Sequence, residues 1–147
     1  MLKRIIGRQD RSGQTVKGFT LVELMVVIII LAVLTGIAIP SYLALRNRAR
    51  NQATRSEMQN IGTAISIYEA DIGSNPATGL AALTTALETE PVAGEGAYMS
   101  PVPQTDAWGI AYVYVLAAGG TYTLTSWGTD QAAAGGDDII LADGQLN

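Results

Sequence analysis

The hydrophobic pattern of the chain changes abruptly at position 19. Residues 1–18 are polar and show no apolar period, whereas from Phe19 to Ile39 there are 21 consecutive positions with a single charge, Glu23. A helix of that length rises about 31 Å, the depth of a bilayer's hydrocarbon core. Beyond Pro40 the chain keeps helix-forming residues, and Met58, Ile61, Ile65, Tyr68 and Ile72 recur at spacings of 3 and 4, the mark of one helix face turned to a core. One long helix is therefore predicted, apolar all round in its first half and striped in its second. Thr35-Gly36 and Pro40 are weak helix formers within it, which predicts a kink or melted turn.

Gly73-Ser74-Asn75-Pro76 ends this helix. Leu80, Leu83 and Leu87 mark a second, short helix over about 77–88, with Ser74 or Thr78 available to cap its N-terminus. Residues 89–105, broken by Pro91, Gly94, Gly96, Pro101 and Pro103, are predicted to be loop, and a loop this long is more often functional than idle. Asp106-Ala107-Trp108-Gly109 reads as a turn into the β-rich run 110–116, and Thr121–Ser126 alternates as its partner, so an antiparallel hairpin is expected over about 110–126. Trp108 at a strand start is most simply a core residue.

Composition narrows the chemistry. The 147 residues hold neither cysteine nor histidine, which removes disulfides, thiolate nucleophiles, the usual general base and the usual zinc ligand. A membrane-tethered enzyme finds no support in the remaining residues. Charge is segregated. Lys3, Arg4, Arg8, Arg11 and Lys17 precede the apolar run and Arg46, Arg48, Arg50 and Arg55 follow it, but no basic residue occurs after Arg55, where eleven acids lie. Such a C-terminal part repels nucleic acid. The four arginines are placed either to snorkel to lipid headgroups or to meet acids on a neighbouring subunit.

Two clusters carry candidate chemistry. Glu23 lies inside the apolar run, where an unpaired carboxylate costs about 2.5–3.5 kcal/mol near mid-bilayer, so a positive partner is expected. On residue types alone a plain membrane anchor is the simplest account of the run; a secretory signal peptide cut near Gly36-Ile37-Ala38 is the other, against which the length of the run and Glu23 count. The second cluster is Asp130, Asp137 and Asp138, three carboxylates in a glycine-rich loop free of basic residues. Hard oxygen ligands suit calcium better than magnesium, and the spacing is not that of an EF-hand; a solvated acidic turn is the plainer alternative.

Gly18 followed by Phe19-Thr20-Leu21-Val22-Glu23 and the apolar run to Pro40 resembles the class III signal of type IV pilins and type II secretion pseudopilins. The resemblance implies an α+β, type IV pilin-like fold, with a long N-terminal helix packed on a small C-terminal antiparallel sheet. It implies a leader, 1–18, cut after Gly18 on the cytoplasmic side by a prepilin peptidase that methylates Phe19. A transmembrane and assembly half, 19–53, and a periplasmic head, 54–147, would follow. Glu23 would pair with the N-terminal amine of a neighbouring subunit, and the Pro40 region would be the flexible joint of the assembled filament. Partners implied are further copies through the N-terminal helices, minor pseudopilins, an inner-membrane assembly platform and the membrane itself before assembly.

Asn75-Pro76 with Gly79-Leu80-Ala81-Ala82-Leu83, and Asp106-Ala107-Trp108-Gly109, are partial matches to major pseudopilins. Ser126-Trp127-Gly128-Thr129-Asp130, six residues, then Asp137-Asp138-Ile139 is similar to their calcium loop over 126–139. By that likeness Asp130, Asp137 and Asp138 bind a structural Ca2+ with the carbonyl oxygens of Trp127 and Ala132. The chain departs afterwards, running Ile139-Ile140-Leu141-Ala142-Asp143, which leaves the contacts of a last strand undefined. The implied function is that of a major pseudopilin polymerising into the periplasmic filament of type II secretion. A major type IV pilin forming a surface fibre is the alternative, against which the missing cysteines count.

Overall fold

A computed structural model describes residues 18–89 and 96–147. Residues 1–17 of the leader expected over 1–18, and residues 90–95 of the loop expected over 89–105, lie outside the described residues. The chain divides into two compact units after Pro40.

Helix α1 spans Leu21–Ile72, with Pro40 inside it. In the first unit the helix is unbroken at Thr35, Gly36 and Pro40, so the melted turn expected there is not found in the single chain. Thr35 Oγ1 donates to the Leu31 carbonyl at 2.7 Å, occupying a hydroxyl that would otherwise compete for backbone. The described residues of this unit, 18–40, are all exposed.

In the second unit α1 buries Thr54, Met58, Ile61, Gly62, Ala64 and Ile65. The predicted stripe holds for Met58, Ile61 and Ile65, but Tyr68 is only half-buried and Ile72 stands exposed, both lining an open groove with Thr85, Ala86 and Thr89. Gly62 is a helix-interior glycine with a packing reason. A Cβ there would lie 2.7 Å from Leu141 Cδ2, so its absence lets helix and sheet approach closely. Gly73, at φ 80°, then ends the helix in the left-handed conformation, its N–H bonding the Glu69 carbonyl at 2.8 Å.

Helix α2 spans Leu80–Glu88 and buries Leu83 and Leu87. It starts later than expected and lacks a side-chain cap, Gly79 standing at the cap position. Thr78 is occupied elsewhere: its hydroxyl accepts the Leu116 N–H at 2.9 Å and donates to the Leu116 carbonyl at 3.2 Å, tying the helix approach to the sheet.

Four antiparallel strands form one sheet in sequence order: β1 Val113–Leu116, β2 Tyr122–Ser126, β3 Ile139–Ala142 and β4 Gln145–Leu146. The expected hairpin is β1–β2, registered Val113 on Thr125 and Leu116 on Tyr122. Its first strand begins three residues late because Asp106 holds residues 106–110 in a turn, accepting the Trp108 and Ile110 N–H groups at 2.9 and 3.0 Å. The strands alternate buried and exposed, and their inner face, Tyr112, Tyr114, Tyr122, Leu124, Ile139 and Leu141, forms the core with α1 and α2. The second hairpin, β3–β4, turns on Asp143-Gly144 with φ 46° and 79°. That dipeptide is a strong hairpin signal.

Candidate metal centre and assembly helix

The candidate metal centre is built by the connection between β2 and β3. Ser126 closes β2 and is buried; Gly128, at φ 70°, then turns the chain back toward Asp137 so closely that a Cβ would strike the Asp137 backbone carbonyl. Asp137 Oδ2 accepts the N–H groups of Thr129 and Asp130 at 2.6 and 3.1 Å. Asp130 Oδ1 accepts the Ala132 N–H, and Asp138 Oδ2 the Ala134 N–H, each at 2.9 Å. Gln131 and Ala134 adopt positive φ of 58° and 62°, conformations a non-glycine residue adopts at some cost. At Gly135 a side chain would fall on the Asp130 carboxylate.

The three aspartates predicted from sequence are thus brought together: one oxygen from each lies within 4.8 Å of the others. Two oxygens bound to one calcium ion at 2.3–2.6 Å are at most about 5.2 Å apart, so the spacing fits. The second oxygens of Asp137 and Asp138 are buried and have no hydrogen-bond donor. Burial alone would raise the Asp137 carboxyl, but the N–H groups of Asp130 and Thr129 outweigh it and hold the group below its ordinary 3.8. An acceptor-only carboxylate kept charged, with an unfilled lone pair, is the chemistry of a cation ligand. Of the two expected carbonyl ligands, Trp127 is half-buried directly after β2, and the Ala132 carbonyl accepts the Gly135 N–H at 3.2 Å.

A second aspartate site was not anticipated. Asp106 is buried, and besides its two backbone donors it accepts the Ser126 hydroxyl at 2.6 Å; Ser126 Oγ in turn accepts the Gly128 N–H at 3.3 Å. The Ala107 N–H bonds the buried Thr54 hydroxyl of α1 at 3.2 Å. The start of the aspartate loop is therefore fastened through Ser126 and Asp106 to the turn that α1 supports. Asp at the head of a turn was the available sign; its partner, 20 residues on, was not.

At the start of α1, Gly18 and Phe19 are exposed. Thr20 and Glu23 form a capping box: the Thr20 N–H and hydroxyl both donate to Glu23 Oε2 at 2.9 Å, and the Glu23 N–H returns to Thr20 Oγ1 at 3.2 Å. The positive partner expected for Glu23 is not among the described residues of the single chain, where the helix's own N-terminus satisfies the carboxylate. Thr-x-x-Glu ahead of an apolar run is the sequence sign of such a box, and it was missed. The helix beginning there is long and apolar enough to cross a membrane.

A long helix with an apolar N-terminal half, a short second helix and a small antiparallel sheet carrying an aspartate loop define the type IV pilin-like class. Residues 41–142 match the family model described as Type II secretion system (T2SS), protein G, and residues 14–39 match the Prokaryotic N-terminal methylation motif. The type II secretion system core protein G of Klebsiella pneumoniae is 37% identical over 133 residues, covering 86% of this chain and 94% of the relative. That of Escherichia coli (strain K12) is 35% identical over 136 residues, covering 88% and 92%. The chain belongs to the type II secretion system protein G family, the major pseudopilins of that system. Among solved structures, the major pseudopilin from the type 2 secretion system of enterohaemorrhagic Escherichia coli has a TM-score of 0.49 at 22% identity, covering 67% of this chain and 90% of that one. That likeness is too loose to bear on function.

Proposed function

We propose that this chain is the subunit of a periplasmic filament that drives type II protein secretion. The observation that carries it is the pairing, on one chain, of the protein G family match over 41–142 with the methylation motif over 14–39. The leader, 1–18, is removed after Gly18 by a prepilin peptidase, which methylates Phe19. The segment 19–53 holds the subunit in the inner membrane as a single pass, with the head, 54–147, in the periplasm. Copies then leave the bilayer and stack through their apolar helices, working with minor pseudopilins and the inner-membrane assembly platform. In the stack Glu23 exchanges its capping-box donors for the methylated amine of a neighbour, a charge-assisted pair worth more in an apolar surround than a hydroxyl contact. The Pro40 region is the joint that yields.

The metal loop takes a structural calcium ion through Asp130, Asp137 and Asp138 with the Trp127 and Ala132 carbonyls. What supports this is the pair of donorless oxygens on Asp137 and Asp138. The ion supplies charge neutralisation that closes the β2–β3 connection in a head without disulfides.

Intact mass of the membrane-extracted protein tests the processing: a chain starting at methylated Phe19 is expected, and one starting at Met1 in working filaments would refute it. Cells lacking the protein should retain in the periplasm enzymes that they normally secrete; loss of surface fibres with secretion intact would mark a surface pilin instead.

A further inference from the structure

We infer that an acidic cleft beside the end of α1 binds the guanidinium of Arg50, with Arg46 beside it, from a second copy of this chain staggered along the helix axis; this rests on the filament proposed above.

The cleft, about 280 Å³, lies between α1 and two turns, lined by Ser66, Glu69, Asn75, Gly120, Tyr122 and Asp143. Its groups ask for donors. Asn75 Nδ2 donates to the Gly120 carbonyl at 2.7 Å, which orients Oδ1 as an acceptor, and that atom is buried with no donor. Tyr122 is 3% exposed. Its hydroxyl lies near the Gly144 backbone N–H but makes no hydrogen bond of good geometry to it or to any other described group. Asp143 gives one oxygen to the Tyr122 N–H at 2.8 Å and keeps the other. The Glu69 carboxylate makes no hydrogen bond or ion pair among the described residues, whereas Glu57 is bonded by Tyr112, Glu88 by the Val102 N–H, and Asp106 by three donors. The Glu69 carboxylate and the second Asp143 oxygen are the acceptors open to what a guanidinium has, five N–H donors and no acceptor.

The chain names the occupant by charge. No basic residue follows Arg55, and Arg55 is engaged, Nη1 donating to the Asn147 carbonyl at 3.0 Å. Arg46 and Arg50 have no partner among the described residues. They stand at i and i+4, on one helix face, where like charges repel unless an acid comes between them. That acid cannot be the chain's own Glu69, which lies 19 residues beyond Arg50 on the same helix, about 28 Å away. A copy shifted by about that length places Arg50 at the cleft.

The absence of cysteine permits a direct test. Full-length filaments carrying Arg50→Cys with Glu69→Cys are treated with a bismaleimide much shorter than 28 Å, which cannot join the two positions within one helix. A ladder of dimers and trimers on a denaturing gel, absent from each single variant, is expected. Intact filaments without a ladder would overturn the inference and leave the proposed function standing; a parent chain that builds no filament at all would overturn both. Glu69→Arg, at an exposed site without side-chain bonds, should lower filament yield at least tenfold, and Arg50→Glu added to it should restore assembly. Normal assembly of Glu69→Arg, together with weakened binding of Arg46→Glu/Arg50→Glu chains to anionic lipid vesicles, would assign the arginines to headgroups and overturn the inference.

Discussion

The two aspartate sites of the head differ in what they leave over. Asp106 is buried with its oxygens met by two backbone N–H groups and the Ser126 hydroxyl. Asp137 and Asp138, in the loop that starts beside it, have one oxygen bonded by loop amides and one with no donor. Both kinds of site fix a turn, but only the second has lone pairs to offer an ion. A carboxylate count does not distinguish them; the supply of nearby donors does.

The largest effect should come from removing the satisfied site. Asp106→Ala orphans three donors in a partly buried place at about 1–3 kcal/mol each, so a loss of about 3 kcal/mol or more is expected in urea unfolding, at least as large with calcium as without it. If that loss vanished when calcium was added, the two sites would not be separable as argued. Next, calcium at about 100 times its Kd should stabilise the head by about 2.7 kcal/mol, with EDTA reversing it, and Asp137→Ala should abolish the response. An unchanged melting temperature in EDTA would make the loop a solvated acidic turn.

Gly135→Ala sharpens the comparison further. Its φ is ordinary, so metal-free stability should move by only about 0.5 kcal/mol, yet the new methyl displaces the Asp130 carboxylate and should weaken calcium binding measured by calorimetry. The smallest effect is acid sensitivity. Asp137 sits below its ordinary 3.8 in the fold, so its contribution is fully present above that value and lost as pH falls through the lowered one. Metal-free protein should therefore lose stability below about pH 4, and Asp137→Asn should flatten that slope in thermal melts.

Much of this was legible in the residues. Apolar composition over Phe19–Ile39 with a single charge, a 3-and-4 stripe at Met58, Ile61 and Ile65, and β-branched alternation around 113–126 each encode an element through local physics: chain length against bilayer depth, helical period, pleat. The three aspartates that cluster were also legible as candidates, since residue type and family likeness sufficed to pick them out. The late starts of α2 and β1 were not. Thr78 was free to cap a helix until Leu116, far away in sequence, took its hydroxyl, and Asp106 was free to lead a strand until Ser126 and two backbone amides held it in a turn.

By itself, then, the sequence determined the greasy helix, the core face of its continuation, the first hairpin and the identity of three clustered acids, because each depends on residues close together in the chain. Only the tertiary structure decided which oxygen of each acid is spent and which is left for a cation, why Gly62 faces Leu141, and where an acidic cleft lacks a donor. Those are questions of which groups from distant segments meet, and hydrogen-bond capacity is assigned only when they do.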